Sequence, residues 1–235
     1  MVQKIDMKLA LKDAREKHID SGCKEKKHHL AVEKPEKLPA QMENLISGII
    51  LAGGDNKRFG GILKSNTIIG GETIISRITG TVRDLFNEII IVTNTPAAFS
   101  EYIRCKIVKD EFLKAGPLGG IHAGMKSATN EAIFVFAGDM PFLDKELIAE
   151  QIDAFNLENY DILVPRIGRN IEPLHAIYRK SLLNELERFI TDCKNRSVRD
   201  FINSTKVGYF DLQESEESKR AFTNINLPDD ISRII

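Results

Sequence analysis

The stretch Ser47-Gly-Ile-Ile-Leu-Ala-Gly-Gly-Asp-Asn-Lys-Arg-Phe-Gly-Gly-Ile-Leu-Lys64 decides how this sequence folds. Its first five residues form a short apolar run that is typical of a buried strand. The loop that follows contains Gly53 and Gly54, which have no Cβ atom and let a ligand approach the backbone closely. Backbone N–H groups in such a loop attract anions, and Arg58 and Lys64 add two positive charges. The stretch therefore predicts a strand that leads into a site for a nucleotide triphosphate.

Apolar strands alternate with helical patterns from this stretch onward. Such alternation favours an α/β fold with a mostly parallel sheet and helices on both faces. Ligands bind beyond the carboxyl ends of the strands in sheets of this kind. The predicted strands are Ile49–Leu51, Glu88–Thr93, Cys105–Val108, Ala132–Ala137 and Asp161–Val164, and the predicted helices are Thr73–Phe86, Pro96–Tyr102, Leu118–Ala128 and Asp144–Phe155.

The composition of the 235 residues excludes several classes of protein. A hydrophobic content of 42% and a charged content of 29% are ordinary for a globular protein. The formal net charge of -1 argues against nucleic acid as a partner. Three cysteines give no disulfide framework, and no apolar run reaches the length of about 18 residues that a membrane span needs. With no sign of a secretory signal, we expect a cytoplasmic protein that does not bind a membrane.

Residues 1–46 differ in composition from the rest of the chain. They contain ten Lys or Arg residues, eight Asp or Glu residues and three of the five His residues. Their prolines stand in a segment typical of a linker. A metal site among their His and Cys residues is the alternative, but no spacing there matches a zinc pattern. We therefore expect a charged, flexible extension at residues 1–46 and one domain at residues 47–235.

Polar residues and glycines follow the second and third predicted strands. Asn94 comes directly after the second strand and can contact a base or a ribose, although an Asn there is often only a turn residue. The third strand leads to Asp110 and then to Ala115-Gly-Pro-Leu-Gly-Gly-Ile121, which opens a predicted helix. A helix N-terminus favours negative charge, and the glycines indicate a close backbone approach to a ligand. A tight loop explains one glycine more easily than three.

The fourth predicted strand ends in Gly138-Asp-Met-Pro-Phe142. This places Asp139 at the carboxyl end of a central strand, beside the expected phosphate loop. Mg²⁺ prefers one or two carboxylates together with phosphate oxygens. Asp139 is therefore the predicted metal ligand, in preference to a role as a turn cap before Pro141.

Three segments farther along the chain carry weaker signals. His175 lies in the apolar run Glu172–Tyr178, where a hydrogen-bonded packing residue is at least as good an interpretation as a ligand. Arg196 and Arg199 stand near a predicted helix start and suit an anionic substrate, with a solvated helix face as the alternative. Alternation along a strand would direct Asn224 and Asn226 to the same face, which indicates a site.

Five motifs occur in a fixed order along the chain. They are Leu51-Ala-Gly-Gly-x-x-x-Arg58-Phe-Gly60 with Lys64, Asp110, Gly116-Pro-Leu-Gly-Gly120, Asp139-Met-Pro-Phe142 and Asn224-x-Asn226-x-Pro228. The ordered set covers about residues 47–235 and resembles the molybdenum cofactor guanylyltransferase family. The resemblance implies a Rossmann-like, three-layer α/β/α nucleotidyltransferase fold with a mostly parallel central sheet. It implies that GMP is transferred from Mg-GTP to the terminal phosphate of the molybdopterin cofactor, giving molybdopterin guanine dinucleotide and pyrophosphate.

The same resemblance implies roles for individual residues. Arg58, Lys64 and Asp139 would be catalytic, with Asp139 holding the cofactor Mg²⁺. The acceptor would meet Arg196, Arg199, Asn224 and Asn226. The substrates would be GTP and the molybdopterin cofactor, and transient contact with enzymes that make or use this cofactor is expected. The GTP-binding residues would be Leu51, Ala52, Gly53, Gly54, Lys64, Asn94, Asp110, Gly116, Pro117, Leu118 and Gly119.

Two positions depart from the family pattern. Phe59 and Leu63 stand where many members have Met and Asp, and Arg58-Phe-Gly60 also resembles the related cytidylyltransferases. Those relatives typically have Ala-Ala-Gly where this chain has Ala52-Gly53-Gly54, and they lack the Gly-Pro-Leu segment. Three hypotheses follow: a guanylyltransferase, a nucleotidyltransferase that uses CTP or another phosphorylated acceptor, and a nucleotide-binding module without catalysis.

Overall fold

A computed structural model of the chain describes residues 46–53, 63–192, 197–226 and 230. The chain divides into two units, residues 1–38 and 39–235, and every described residue belongs to the second unit. Residues 1–45 of the expected extension therefore lie outside the described residues, and the role of the extension stays a prediction.

The described part of the chain contains both α-helices and strands. The helices are α1 (Ile74–Val82), α2 (Pro117–Ser127), α3 (Lys145–Leu157), α4 (Leu183–Asp192), α5 (Val198–Asn203) and α6 (Glu216–Ala221). The strands are β1 (Ile46–Leu51), β2 (Ile68–Ile69), β3 (Glu72–Thr73), β4 (Ile89–Val92), β5 (Lys106–Val108), β6 (Ala132–Ala137), β7 (Ile162–Ile167), β8 (Asn170–Ile171), β9 (His175–Arg179) and β10 (Val207–Leu212). Short 3₁₀ turns occupy Lys64–Asn66, Pro96–Phe99 and Lys180–Leu182.

The central sheet is mixed but mostly parallel. Its strands lie in the order β10-β7-β9-β6-β1-β4-β5, with β8 paired to β7, while β2 and β3 form a separate hairpin. β1 is parallel to both of its neighbours, β4 and β6. β9 runs antiparallel between β6 and β7. The strand order reverses between β1 and β6, and sheets of this kind form their ligand-binding crevice at the carboxyl ends of the two strands at such a reversal.

Hydrophobic cores cover both faces of the sheet and produce three layers. Alternate residues of β1 point to opposite faces, so Ile49 packs in one core and Ile50 in the other, and both are fully buried. The first core packs against α2, α4 and α5, and the second packs against α1 and α3. The three-layer α/β/α fold expected from the sequence is confirmed.

The sequence located most of the elements that it named, with some differences. β6 has the predicted bounds, and Asp144 caps α3 by accepting a hydrogen bond from Leu147 N at 3.0 Å. The prediction of a helix at Pro96–Tyr102 was wrong, because only the 3₁₀ turn Pro96–Phe99 forms there. Asn224 and Asn226 do not lie on a strand, but on an irregular segment in which Ile225 is buried between them.

His175 is a packing residue, which was one of the two interpretations that its sequence position allowed. Its ring is fully buried and lies edge-on to the rings of Phe134, Phe136 and Phe222, with centroid distances of 5.0 to 5.5 Å. The expected hydrogen bond is missing, since neither ring nitrogen has a partner among the described residues. Burial lowers the pKa of His175 to about 4, so the imidazole is neutral at pH 7.

Candidate active site

The loops that follow β1, β4 and β6 lie side by side at the carboxyl ends of the strands, which we call the carboxyl edge of the sheet. In the parallel register, Leu51 at the end of β1 lies opposite Val92 of β4 and Ala137 of β6. Ala52 continues this edge by donating from its N–H to Val92 O at 2.9 Å, and Gly53 is exposed just beyond it. The beginning of the predicted phosphate loop therefore lies at the strand-order reversal, where α/β sheets bind ligands.

An ion pair joins the two loops on either side of this crevice. Lys64 Nζ lies 3.3 Å from Asp139 Oδ2, although the two residues are 75 positions apart. Both side chains are partly buried, with exposed fractions of 26% for Lys64 and 23% for Asp139. The pair is thus accessible to a ligand while its charges are only partly screened by water.

A segment near the end of the described chain holds this pair in place. Lys64 Nζ donates a hydrogen bond to Asn226 Oδ1 at 3.1 Å, and Ile225 N donates to Asp139 O at 2.9 Å. Asn226 N in turn donates to Asp230 Oδ2 at 2.9 Å. Of the two Asn residues predicted to form a site, Asn226 is therefore brought directly to the charged pair. No sequence pattern indicates the Ile225 contact, because it uses only backbone atoms.

Gly138 allows the loop after β6 to lie against the end of β1. Its N–H donates to Leu51 O at 3.0 Å. A Cβ atom at this position would be 2.7 Å from the same carbonyl oxygen, a distance that real Cβ atoms essentially never show. Gly138 is a site residue that sequence reasoning did not single out, although its position between a strand and Asp139 is a signal for it.

Asp110 lies against the first turn of α2. Its Oδ1 accepts a hydrogen bond from Phe112 N at 2.7 Å. A Cβ atom on Gly119 would be only 2.5 Å from that same Oδ1, so the helix approaches the carboxylate as closely as a glycine allows. Burial raises the pKa of the Asp110 carboxyl above its usual range, which the hydrogen bond from Phe112 partly offsets.

Helix α2 directs its positive end toward the site. Gly116 precedes the helix with a φ of +58°, a left-handed conformation that favours glycine, and Pro117 fills the first helical position. At the opposite end, Lys106 Nζ donates to Ser127 O at 2.7 Å and Lys180 Nζ donates to Ala128 O. These cations offset the negative end of the helix dipole, while the Asp110 carboxylate lies against its positive end.

The remaining predicted residues have different positions. Asn94 is exposed two residues after the end of β4, and the fully buried Leu118 packs in the core beneath the first turn of α2. Arg199 is on α5, where its Nη2 donates to Ile171 O at 3.0 Å, so it is only in part a solvated residue. Gly54, Arg58 and Arg196 lie outside the described residues.

The residues at the crevice fit a magnesium ion that is shared with a phosphate ligand. No group of three or more His, Cys, Asp or Glu side chains that could hold a metal by itself occurs in the described part of the chain. A single carboxylate such as Asp139 is nevertheless what Mg²⁺ commonly uses when phosphate oxygens and water complete its coordination. The Lys64 ammonium on Asp139 shows that this carboxylate already attracts a cation.

The chain is similar in sequence to a known family of nucleotide-using transferases. Residues 48–207 match the family model of the MobA-like NTP transferase domain. A probable molybdenum cofactor guanylyltransferase from Natranaerobius thermophilus is 34% identical over 203 residues, which cover 82% of this chain and 96% of that protein. A molybdenum cofactor guanylyltransferase from Desulfosudis oleivorans is 32% identical, covering 80% of this chain and 93% of its own length.

Solved structures share the fold. Molybdopterin-guanine dinucleotide biosynthesis protein A from Archaeoglobus fulgidus superposes with a TM-score of 0.69 at 25% identity and covers 80% of this chain and 96% of its own. The 4-diphosphocytidyl-2C-methyl-D-erythritol synthase from Anaerococcus prevotii has a TM-score of 0.65 at 16% identity, with coverages of 83% and 96%, and shows the fold alone. Within the described residues, no helix combines the length and apolar character that a membrane crossing requires.

Proposed function

This chain belongs to the molybdenum cofactor guanylyltransferase family, and from that premise we propose that its strand-end crevice transfers GMP from Mg-GTP to the terminal phosphate of the molybdopterin cofactor. The observation that supports this most directly is the Lys64–Asp139 pair at the strand-order reversal, which offers a cation and a metal-binding carboxylate on opposite sides of one crevice.

The reaction is an in-line substitution at phosphorus. An oxygen of the acceptor's terminal phosphate bonds to the α-phosphorus of GTP, and the bond from that phosphorus to the bridging oxygen of pyrophosphate breaks. The electron pair leaves with pyrophosphate. The second pKa of a phosphate monoester is about 6, so the nucleophile is already largely dianionic at pH 7 and needs no strong general base.

The enzyme's main task is to bring two anions together. Mg²⁺ held by Asp139 would neutralise part of the triphosphate charge. Lys64 supplies a fixed positive charge from the opposite side of the crevice, and the N-terminus of α2 adds its partial charge. We assign Arg58 to the same task on the basis of its place in the loop after β1. Asp110 and Asn94 are assigned to the nucleoside end of GTP, since they follow β5 and β4, which lie on the side of β1 away from β6.

Removing either member of the pair tests this assignment. We predict that Lys64→Ala and Asp139→Asn each lower turnover by at least ~100-fold, the scale of losing one preorganised charge contact. Lys145→Ala is a matched control, because Lys145 makes a surface ion pair with Asp84 at 3.1 Å, away from the crevice. Pyrophosphate release is the measurement, and near wild-type rates in either crevice variant would remove the residue from the mechanism.

The two rival functions give different outcomes in the same assay. A cytidylyltransferase releases pyrophosphate faster with CTP than with GTP, and a binding module binds GTP without releasing any. Leu63, which stands where many relatives have Asp, is partly buried against the core that also contains α1. Its apolar side chain therefore contributes to packing, and no observation on it favours either rival.

A further inference from the structure

A cavity of about 280 Å³ lies at the same edge of the sheet, beyond the Asp139 loop and away from β4 and β5. None of the residues assigned to GTP lines it. The volume of this cavity is near the lower end of the range for ligand pockets and is sufficient for a fused heterocycle. Its walls come from the β7–β8 hairpin, the turn before β9 and the region around α6, including Arg169, Asn170, Glu172, Glu214, Lys219 and Phe222.

Two connections join this cavity to the Asp139 loop. Phe222 lines the cavity, and three residues later Ile225 N donates to Asp139 O at 2.9 Å. Glu172 also lines it, and two residues later Leu174 O accepts a hydrogen bond from Ala137 N at 2.9 Å. Chain geometry then limits the backbone separation of Glu172 and Asp139 to at most about 20 Å. A molecule with a ring in the cavity and an extended phosphate arm can therefore reach the crevice.

Glu172 is the distinctive side chain of this cavity. Its backbone is fixed at both ends of the residue, because Glu172 N donates to Pro165 O and Glu172 O accepts from His175 N, both at 3.1 Å. Its carboxylate, in contrast, receives no hydrogen bond from any residue that the structure describes. Burial raises its pKa, with the positive charge of Arg199 acting in the opposite direction. Water still reaches this half-buried carboxylate, so a ligand that fills the cavity must replace those hydrogen bonds with donors of its own.

The other charges around the cavity are already balanced, with one exception. Lys219 pairs with Glu214 at 3.0 Å on the surface. Arg169 stands in the two-residue turn of the β7–β8 hairpin, next to Gly168 with its φ of +59°, and has no ion pair or hydrogen bond among the described residues. The cavity thus presents an acceptor of hydrogen bonds, Glu172, and an accessible cation, Arg169.

We propose that this cavity binds the pterin ring of the acceptor and that Glu172 recognises the ring's adjacent 2-amino and N3–H groups. These two parallel donors match the two oxygens of a carboxylate, which makes the contact bidentate. Arg169 then lies beside the anionic part of the acceptor. The proposal rests on the proposed function, because that function makes a pterin the acceptor. Guanine has the same pair of donors, so the experiment must separate the two substrates.

Glu172→Gln replaces one carboxylate oxygen with an NH₂ group that faces the ring's own donors. We expect the KM for the molybdopterin cofactor to rise about 10- to 100-fold, the scale of losing hydrogen bonds to a charged group, while the KM for GTP stays unchanged. Glu217→Gln is the matched control, since Glu217 is exposed on the neighbouring helix α6 and does not line the cavity, and its KM values should change less than about threefold. Thermal unfolding midpoints of both variants show whether they remain folded.

A second measurement does not depend on turnover. Free pterin, followed by its fluorescence without GTP, should bind saturably to the wild-type protein and more weakly, by a similar factor, to Glu172→Gln. If the enzyme forms the dinucleotide but Glu172→Gln changes neither the acceptor KM nor pterin affinity, the proposal is overturned and the proposed function stands. A rise in the KM for GTP alone would assign the cavity to guanine and also overturn it. Pterin binding that depends on Glu172 in a protein that forms no dinucleotide would overturn the function and leave the proposal standing.

Discussion

Lys64 contacts both of the polar side chains that close the crevice, Asp139 and Asn226. The ammonium is therefore oriented before any substrate binds. Preorganised charges of this kind lower a barrier more than mobile ones, because their orientation costs nothing during the reaction. Asn226 acts in this arrangement as a positioning residue for Lys64, in addition to its proposed contact with the acceptor.

The positioning role of Asn226 gives a prediction at the residue scale. Asn226→Ala removes the acceptor of the 3.1 Å hydrogen bond from Lys64 Nζ, and we expect turnover to fall about 10-fold, less than for Lys64→Ala. Asn203→Ala, at the exposed end of α5, is the control. Steady-state pyrophosphate release measures the effect, and a loss as large as that of Lys64→Ala would show that Asn226 does more than orient the lysine.

His175 predicts how stability depends on pH. Its pKa is about 4 in the folded protein and about 6.5 in the unfolded chain, so the unfolded chain binds more protons between these values. The contribution of neutral His175 to the free energy of unfolding is therefore present above pH 6.5 and is lost as the pH falls. Between pH 7 and pH 5 this loss is about 2 kcal/mol.

Comparison with His175→Leu isolates this effect. The raised pKa values of Asp110 and Glu172 give stability that is lost as the pH rises, which is the opposite sign. These carboxyl groups are present in both proteins, so their contribution cancels in the difference. Urea unfolding at pH 7 and pH 5 should show a smaller acid loss in His175→Leu, whereas equal losses would contradict the assignment.

The sequence predicted candidate site residues when their chemistry and their place after a strand agreed, and their catalytic roles stay predictions. Asp139 and Lys64 were predicted in this way. Asp139 lies in the loop after β6, Lys64 ends the loop after β1, and these two strands are neighbours. The contacts of Asn226 with Lys64 and of Ile225 with Asp139 join segments far apart in the chain, so local patterns could not show them. The sequence pattern shows Glu172 only as the first residue of an apolar run, since its surroundings come from three separate elements.

At the scale of elements, α2 determines the geometry of one wall of the crevice. Its first turn lies directly on Asp110, with Gly119 at the point of contact. Gly119→Ala would bring a methyl group within 2.8 Å of the Phe112 carbonyl oxygen as well as against the carboxylate. We expect a loss of about 1–3 kcal/mol in the free energy of unfolding and a higher KM for GTP, because the helix or Asp110 must shift.

A second glycine supplies the matched control for this prediction. Gly80 lies inside α1, and a Cβ atom there would meet nothing within 4 Å. Gly80→Ala should raise the free energy of unfolding by up to ~1 kcal/mol, because alanine favours the helix, and should leave the KM for GTP unchanged. Chemical denaturation and nucleotide titration test both variants, and equal effects of the two substitutions would contradict the steric explanation.

The sequence predicted the type of most elements but not the direction of β9. Parallel strands were expected because helices separate the apolar runs. β9 follows β8 through a short turn with no helix between them, and it enters the sheet antiparallel between β6 and β7. The run Glu172–Tyr178 indicated a strand, but its apolar pattern contains no information on direction. The two-residue strands β2 and β3 were too short to give a periodic signal.

At the scale of the whole molecule, the polar contacts at the amino ends of the strands differ from those at the carboxyl ends. At the amino edge, the Glu88 carboxylate accepts hydrogen bonds from Ser47 Oγ at 2.5 Å and from Thr129 N at 2.9 Å, which ties β1 to the chain on both sides of it. At the carboxyl edge, Asp139, Lys64 and the N-terminus of α2 face a crevice. The polar contacts at the amino ends of the strands join parts of the protein to one another, whereas the Lys64–Asp139 pair at the carboxyl ends is partly exposed and a ligand can reach it.

The most direct test of the central claim is product analysis with the purified full-length protein, molybdopterin cofactor, Mg²⁺ and GTP labelled at the α-phosphate. We predict that the label enters molybdopterin guanine dinucleotide, with one pyrophosphate released per dinucleotide, and that CTP in place of GTP gives much less product. Faster product formation with CTP, or GTP binding without pyrophosphate release, would contradict the assignment of this chain as a guanylyltransferase.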